Sequence, residues 1–221
     1  MKISNIIIIA FAIAVLASML VLFVDAKNHQ NYKDPNIEMK SFPLSDFSVV
    51  IAEKSSDIHL NPSDTNAIEI EYLKNKVVKN QIYKLQNDTL FVYGGLRTFV
   101  KCNKLKSIRA NKPLWFGIGN FNLDSLYIDV TGGYFQFNKN DNKLTKIQHC
   151  TINATDSARV VVSDTKIGNI TLHASVNSNC DFWSECEHVT GELKNKTRAF
   201  FKHNPQTIQL KRDKDSSFRI E

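Results

Sequence analysis

The chain has 221 residues, with 28 Lys and Arg against 22 Asp and Glu, and the resulting charge of +6 is too small to nominate a partner by itself. Cysteines 102, 150, 180 and 186 are an even number, which permits two disulfides, but none has the close spacing of a metal ligand pair, so no metal is expected. A phosphate-binding glycine loop and a nucleophile elbow are both missing, Gly132-Gly133 reads as a turn, and no cofactor or catalytic residue is nominated.

Ile6 to Val24 is a run of 19 uncharged residues, with Lys2 before it and Asp25 and Lys27 after. A helix of that length crosses the ~30 Å hydrocarbon core of a membrane, and the run exceeds the roughly 7–15 residues of a signal-peptide apolar region. Residues 1-25 are therefore expected to form one N-terminal transmembrane helix that stays attached. Cleavage after Ala26 is the alternative, because Val24-Asp25-Ala26 has the small terminal residue that a signal peptidase needs. The flanking charges, Lys2 against Lys27 and Lys33, orient it weakly. Placing the remainder outside the cytoplasm, in a periplasm or on a cell surface, rests on the default behaviour of a single N-terminal segment before a large domain. Nucleic acid is then not an expected partner. Residues 26-44 are polar, contain Pro35 and Pro43, and read as a spacer.

From Phe47 the period becomes that of strands. FSVVIA, DIHL, AIEIEY and TLFVY alternate, with turns at Asn61-Pro62-Ser63-Asp64 and Gln86-Asn87-Asp88. Residues 45-221 are long enough to bury a substantial core as one all-β domain. The stretch from Thr89 to Leu123 carries Arg97, Lys101, Lys104, Lys106, Arg109 and Lys112 without one acidic residue, interleaved with aromatics that include Trp115. Such a mixture can hold an anionic glycan through charge and stacking. Lys101, Lys104, Lys106, Arg109 and Trp115 are the candidate ligand-binding residues. The bland alternative is a solvated edge of basic heads above core or cap aromatics.

The last hundred residues repeat. LYIDVT from Leu126, CTINAT from Cys150, ITLHAS from Ile170 and VTGELK from Val189 superpose, and TIQLK from Thr207 fits one position in. First, third and fifth places are apolar or small, as in a strand with one buried face. From Ala154 the register steps 20 residues to Ala174, 19 to Leu193 and 17 to Leu210. A second short strand follows each copy, with inward pairs such as Phe135 and Phe137, Val160 and Val162, or Cys180 and Phe182. Units this short must stack to bury their apolar faces, so the fold expected is a single-stranded β-solenoid, parallel β-helix-like, rather than a plain sandwich. The columns put Cys150 and Cys180 in the core on different coils, where free thiols are expected.

FSVVIAEKSSDIHLNPSDTNAIEIEY followed by LQNDTLFVYG resembles the opening of the GIN-type head domain, an auto-transporter adhesin head domain of Gram-negative envelope proteins, and IGNITLHASVNSNCDF resembles one of its coils. The resemblance covers Phe47 to Glu221 and implies a β-helix-like envelope domain without an assigned activity. Asn, Lys and Asp stand where that family's turns carry Ser, Gly and Ala. Three functions follow from these readings: a membrane-anchored binding or adhesion-type module for a glycan or an envelope protein, a ligand-free structural or scaffold subunit, and a carbohydrate-active β-helix enzyme. For the enzyme reading the sharpest hypothesis is the outward column Asp129, Asn153, His173, Glu192; the plainer reading, an ordinary solvated face that strand alternation produces without any function, is the one expected, and no enzyme activity is assigned.

Overall fold

The computed structural model describes residues 11, 13–23, 36–53, 56–74, 82–94, 97–137 and 144–221. Two compact units separate at Ile37. The first is helical from Ile13 to Phe23, with Leu16, Leu20 and Phe23 exposed. Among the described residues no helix is long and apolar enough to cross a membrane. Ile6 to Ala10, Ala12, Val24 and the flanking Lys2, Asp25 and Lys27 lie outside those residues, so the transmembrane expectation is only partly on described ground.

The second unit is all-β. Its regular half is ten strands: β10 (Asn122–Thr131), β11 (Tyr134–Phe137), β12 (Thr145–Thr155), β13 (Arg159–Val162), β14 (Thr165–Ala174), β15 (Asn179–Phe182), β16 (Glu185–Leu193), β17 (Arg198–Phe201), β18 (Thr207–Arg212) and β19 (Ser217–Ile220). Even-numbered strands stack in parallel into one sheet and odd-numbered ones into another, so each even–odd pair is one coil. Ile128, Ile152, Leu172 and Gly191 fall in one inward column as expected, with Thr151 beside Thr171 on the outer face. The last copy differs. Leu193 pairs with Arg212 and Gly191 with Leu210, a step of 19 that keeps inward residues inward but slides the strand by two from the 17-residue expectation. Matching Thr207 to Thr190 by kind misled that reading; Thr207 instead pairs with His188, whose Nδ1 is 2.9 Å from the Thr207 hydroxyl.

Corners explain how a coil closes. Gly132-Gly133, Asp156-Ser157, Val176-Asn177 and Asn195-Lys196 all have left-handed φ, between 55° and 70°, at the same place in four successive coils. Only Gly133 is forced by space, since a Cβ there would stand 2.3 Å from the Pro113 carbonyl. In the last two of these coils a buried hydroxyl follows the corner, and Ser178 Oγ and Thr197 Oγ1 donate back to the carbonyls of Ser175 and Lys194 at 2.6 and 2.7 Å. Polar groups inside the corner are thereby satisfied without water.

The N-terminal half uses β1 (Ile37–Pro43), β2 (Val49–Ala52), β3 (Asp57–Pro62), β4 (Ala67–Leu73), β5 (Tyr83–Gln86), β6 (Thr89–Val92), β7 (Thr98–Cys102), β8 (Ser107–Asn111) and β9 (Trp115–Ile118). The sheets read β1-β4-β7-β3-β9-β11-β13-β15-β17-β19 and β18-β16-β14-β12-β10-β8-β2-β6-β5. The coil made by β2 and β3 is therefore inserted between the β6–β7 coil and the β8–β9 coil, out of chain order. Antiparallel β4 and β5 then cover the exposed edges of β7 and β6, which protects them from pairing with another chain. The spacer expected over residues 26-44 is corrected at its end, because β1 occupies Ile37–Pro43. That strand is almost wholly exposed, which is why it has no apolar period; Glu38 accepts from the Tyr72 hydroxyl and Lys40 sits over the Tyr72 ring.

One core runs the length of the unit between the two sheets. Phe116 stacks on Phe135 at 5.4 Å and Phe182 on Phe201 at 4.7 Å, so rings meet between neighbouring coils on either side of the coil that carries Val160 and Val162. All four cysteines are buried and free.

Candidate functional site

Alternation along β3, β7 and β9 sends Ile58, Val100 and Phe116 into the core and leaves His59, Phe99, Lys101 and Trp115 on the outer face of the ten-stranded sheet. Parallel stacking brings the rings together. His59 lies 4.8 Å from Phe99 at 25° and 4.3 Å from Trp115 at 40°. Partial burial under these rings holds the imidazole below its ordinary pKa, against the pull of Asp57, whose carboxylate is 3.4 Å away. Arg97 bridges Asp57 and Glu71 at 3.8 and 3.9 Å. The result is an aromatic platform, its rings inclined to one another, with charges beside it.

Of the five residues nominated by sequence, Lys101 and Trp115 share this face. Lys101 is held by Glu69 on β4 at 2.6 Å. Lys104 lies in the loop before β8, 3.9 Å from Asp46. Lys106 is exposed immediately before that strand, its backbone amide donating to the Ser48 carbonyl. Arg109 projects from the nine-stranded sheet, on the opposite side of the core, in register with Asp129. The five therefore do not meet as one patch. The acid-free appearance of residues 89–123 also dissolves, because Glu69 and Asp46 arrive from earlier strands and loops that the local sequence does not show.

The outward column Asp129, Asn153, His173, Glu192 exists in register as expected. Its two carboxylates are three strands apart, about 14 Å at ~4.8 Å per strand. Glycoside hydrolysis wants its pair within about 5–9.5 Å. Glu192 is instead tied to Lys194 at 2.7 Å and lies 4.0 Å from His173, and this bonding keeps its carboxyl below the usual range. Within the column only His173 and Glu192 form a side-chain pair among the described residues, and Asn153 donates to the Tyr127 hydroxyl instead. Among the described residues no cluster of His, Cys, Asp and Glu could hold a metal.

Sequence reasoning missed a second feature on the ten-stranded sheet. The outward places of the short strands bring Arg159, Asn179 and Arg198 into one column, with Asp181, Phe200 and Arg219 in the next. They line a groove of about 510 Å³. Beyond it Trp183 meets Phe200 edge-on at 5.5 Å and Lys202 stands over the indole at 5.2 Å. RVVV, NCDF, RAFF and SFRI, aligned as coils, carried the signal.

The thiols offer no reactive group. Burial pushes Cys102, Cys150 and Cys180 up to about 12 and Cys186 to about 11, so none supplies a thiolate near neutrality.

No family model matches the chain and no curated protein matches it. Solved structures do. A protein from Bacteroides fragilis named as a putative adhesin superposes with a TM-score of 0.62 at 13% identity, covering 85% of this chain and 98% of that one. Another of the same name, from Parabacteroides merdae, gives 0.54 at 16% identity over 85% and 97%. At such identities the likeness is one of fold, and the chain is an all-β solenoid built like these bacterial proteins.

Proposed function

We propose that the chain is a non-catalytic binding module of the adhesion type, of the GIN-type head kind, which presents the outer face of its ten-stranded sheet to a glycan or envelope protein. The observation that carries this reading is the open platform of His59, Phe99 and Trp115, rings presented on a rigid face without an enclosing cleft. The names of the two superposing structures point the same way. The 14 Å separation of the carboxylates in the Asp129 column speaks against glycoside hydrolysis.

The module is held at a membrane by Ile6 to Val24, as a single-pass anchor with the domain outside the cytoplasm. What supports this is the uncharged run itself and the exposed apolar side chains along its described part. The full chain expressed in bacteria stays in the membrane fraction after a carbonate wash, whereas a soluble form beginning at Lys27 refutes the anchor. Screening the detergent-purified full chain against a glycan array and envelope extracts tests the binding role: specific retention lost on Trp115→Ala at unchanged melting temperature supports it, and no retention in either screen overturns it.

A further inference from the structure

We infer that the groove over β13, β15, β17 and β19 is a binding site for an acidic polysaccharide, a chain whose carboxylates or sulfates recur along its length. This deepens the binding-module reading and rests on it, but uses a different part of the sheet from the aromatic platform. Three guanidinium groups, from Arg159, Arg198 and Arg219, line the groove against a single carboxylate, Asp181. Asp181 engages Arg159 at 3.5 Å and, among the described residues, no ion pair engages the other two. That imbalance separates this place from the sequence-nominated lysines, two of which are already answered by Glu69 and Asp46.

Spacing favours an extended ligand. Arg159 and Arg198 stand in one column two strands apart, roughly 9.6 Å at ~4.8 Å per strand, and Arg219 lies one strand beyond Arg198 in the neighbouring column. Guanidinium forks match carboxylate and sulfate oxygens two at a time. Asn179 between the arginines adds an amide for hydroxyl groups, and Phe200 and the half-exposed Trp183 offer ring faces on which a sugar can lie. A groove that runs across successive strands suits a linear chain better than the plane of a bilayer.

The test uses the full-length chain held in amphipol, free of detergent, and four immobilised probes: heparin, polygalacturonate, neutral dextran and phosphatidylglycerol vesicles. Expected is retention on one or both acidic polysaccharides, falling steeply with salt. The variant Arg159→Ser, Arg198→Ser, Arg219→Ser should lose on the order of tenfold or more in affinity at unchanged melting temperature. Trp183→Ala should weaken binding severalfold. A charge-matched control, Lys146→Ser, Lys166→Ser, Lys211→Ser, removes three exposed cations from the other sheet and should bind like the parent. Equal loss in the control, arginine-dependent binding to vesicles alone, or full binding by the arginine variant each overturns the site. The last result leaves the binding-module reading standing on another part of the sheet, whereas retention of no probe while envelope proteins are captured overturns the glycan class alone.

Discussion

The two halves of the β unit solve the same problem by different routes. From β10 onward each coil lies on the one before it, so like residues in sequence become neighbours in space. Before β10 the β2–β3 coil is wedged between later strands, and β4 and β5 turn antiparallel to close the edges. A repeat can propagate in one dimension, but its end must be capped. The irregular half is that cap, and the aromatic platform sits where the cap meets the repeat.

Charge placed in the repeat gives the largest expected effect. Ile152 and Leu172 are fully buried in adjacent rungs, so Asp at either should cost upwards of about 4 kcal/mol. Asp at Thr151 or Thr171, outward on the same strands, should stay within about 1 kcal/mol in urea denaturation. Equal losses would break the register.

Gly191→Ala comes next. Its φ is 130° and an added Cβ would stand 2.0 Å from the Leu172 carbonyl. A loss of about 2–4 kcal/mol is expected, with residues 185–212 losing hydrogen-exchange protection before the cap does. Simultaneous loss in both halves would show that cap and repeat are one cooperative unit.

Val176→Asn sharpens the account of the corners from the other direction. A β-branched residue at φ 55° is unfavourable where Asp or Asn serves in sister coils. Replacement should stabilise by about 1 kcal/mol.

The smallest effect is a pH dependence confined to the cap. His59 is depressed by burial, so the unfolded chain takes up the proton first as pH falls through about 6.5. The stability it confers is complete above that pH, is lost as pH falls further, and levels off below the folded value. His59→Phe should flatten the stability profile between pH 7 and 5.

This contrast also explains what could be read before the structure was known. The columns through Leu126, Cys150, Ile170 and Val189 were legible because consecutive coils pair in order. The step to the last strand was misjudged because residue kind, Thr on Thr, competes poorly with coil length in setting register. The site was less legible. Lys101 answers Glu69 across 32 residues, Arg109 turns away to the other sheet, and nothing local in either strand announces it. The arginine groove needed the short strands to be stacked before Arg159, Arg198 and Arg219 became neighbours.

Under the proposed function a ligand lies against the outer face of the ten-stranded sheet. Carbene footprinting of the full chain, with and without whichever polysaccharide or envelope protein it retains, addresses that face directly. Protection should fall on Trp115, Trp183 and Phe200, with exposed Tyr127 on the nine-stranded sheet labelled equally in both states. Protection of Tyr127 and its neighbours, with the three aromatics of the other face unchanged, would contradict the account.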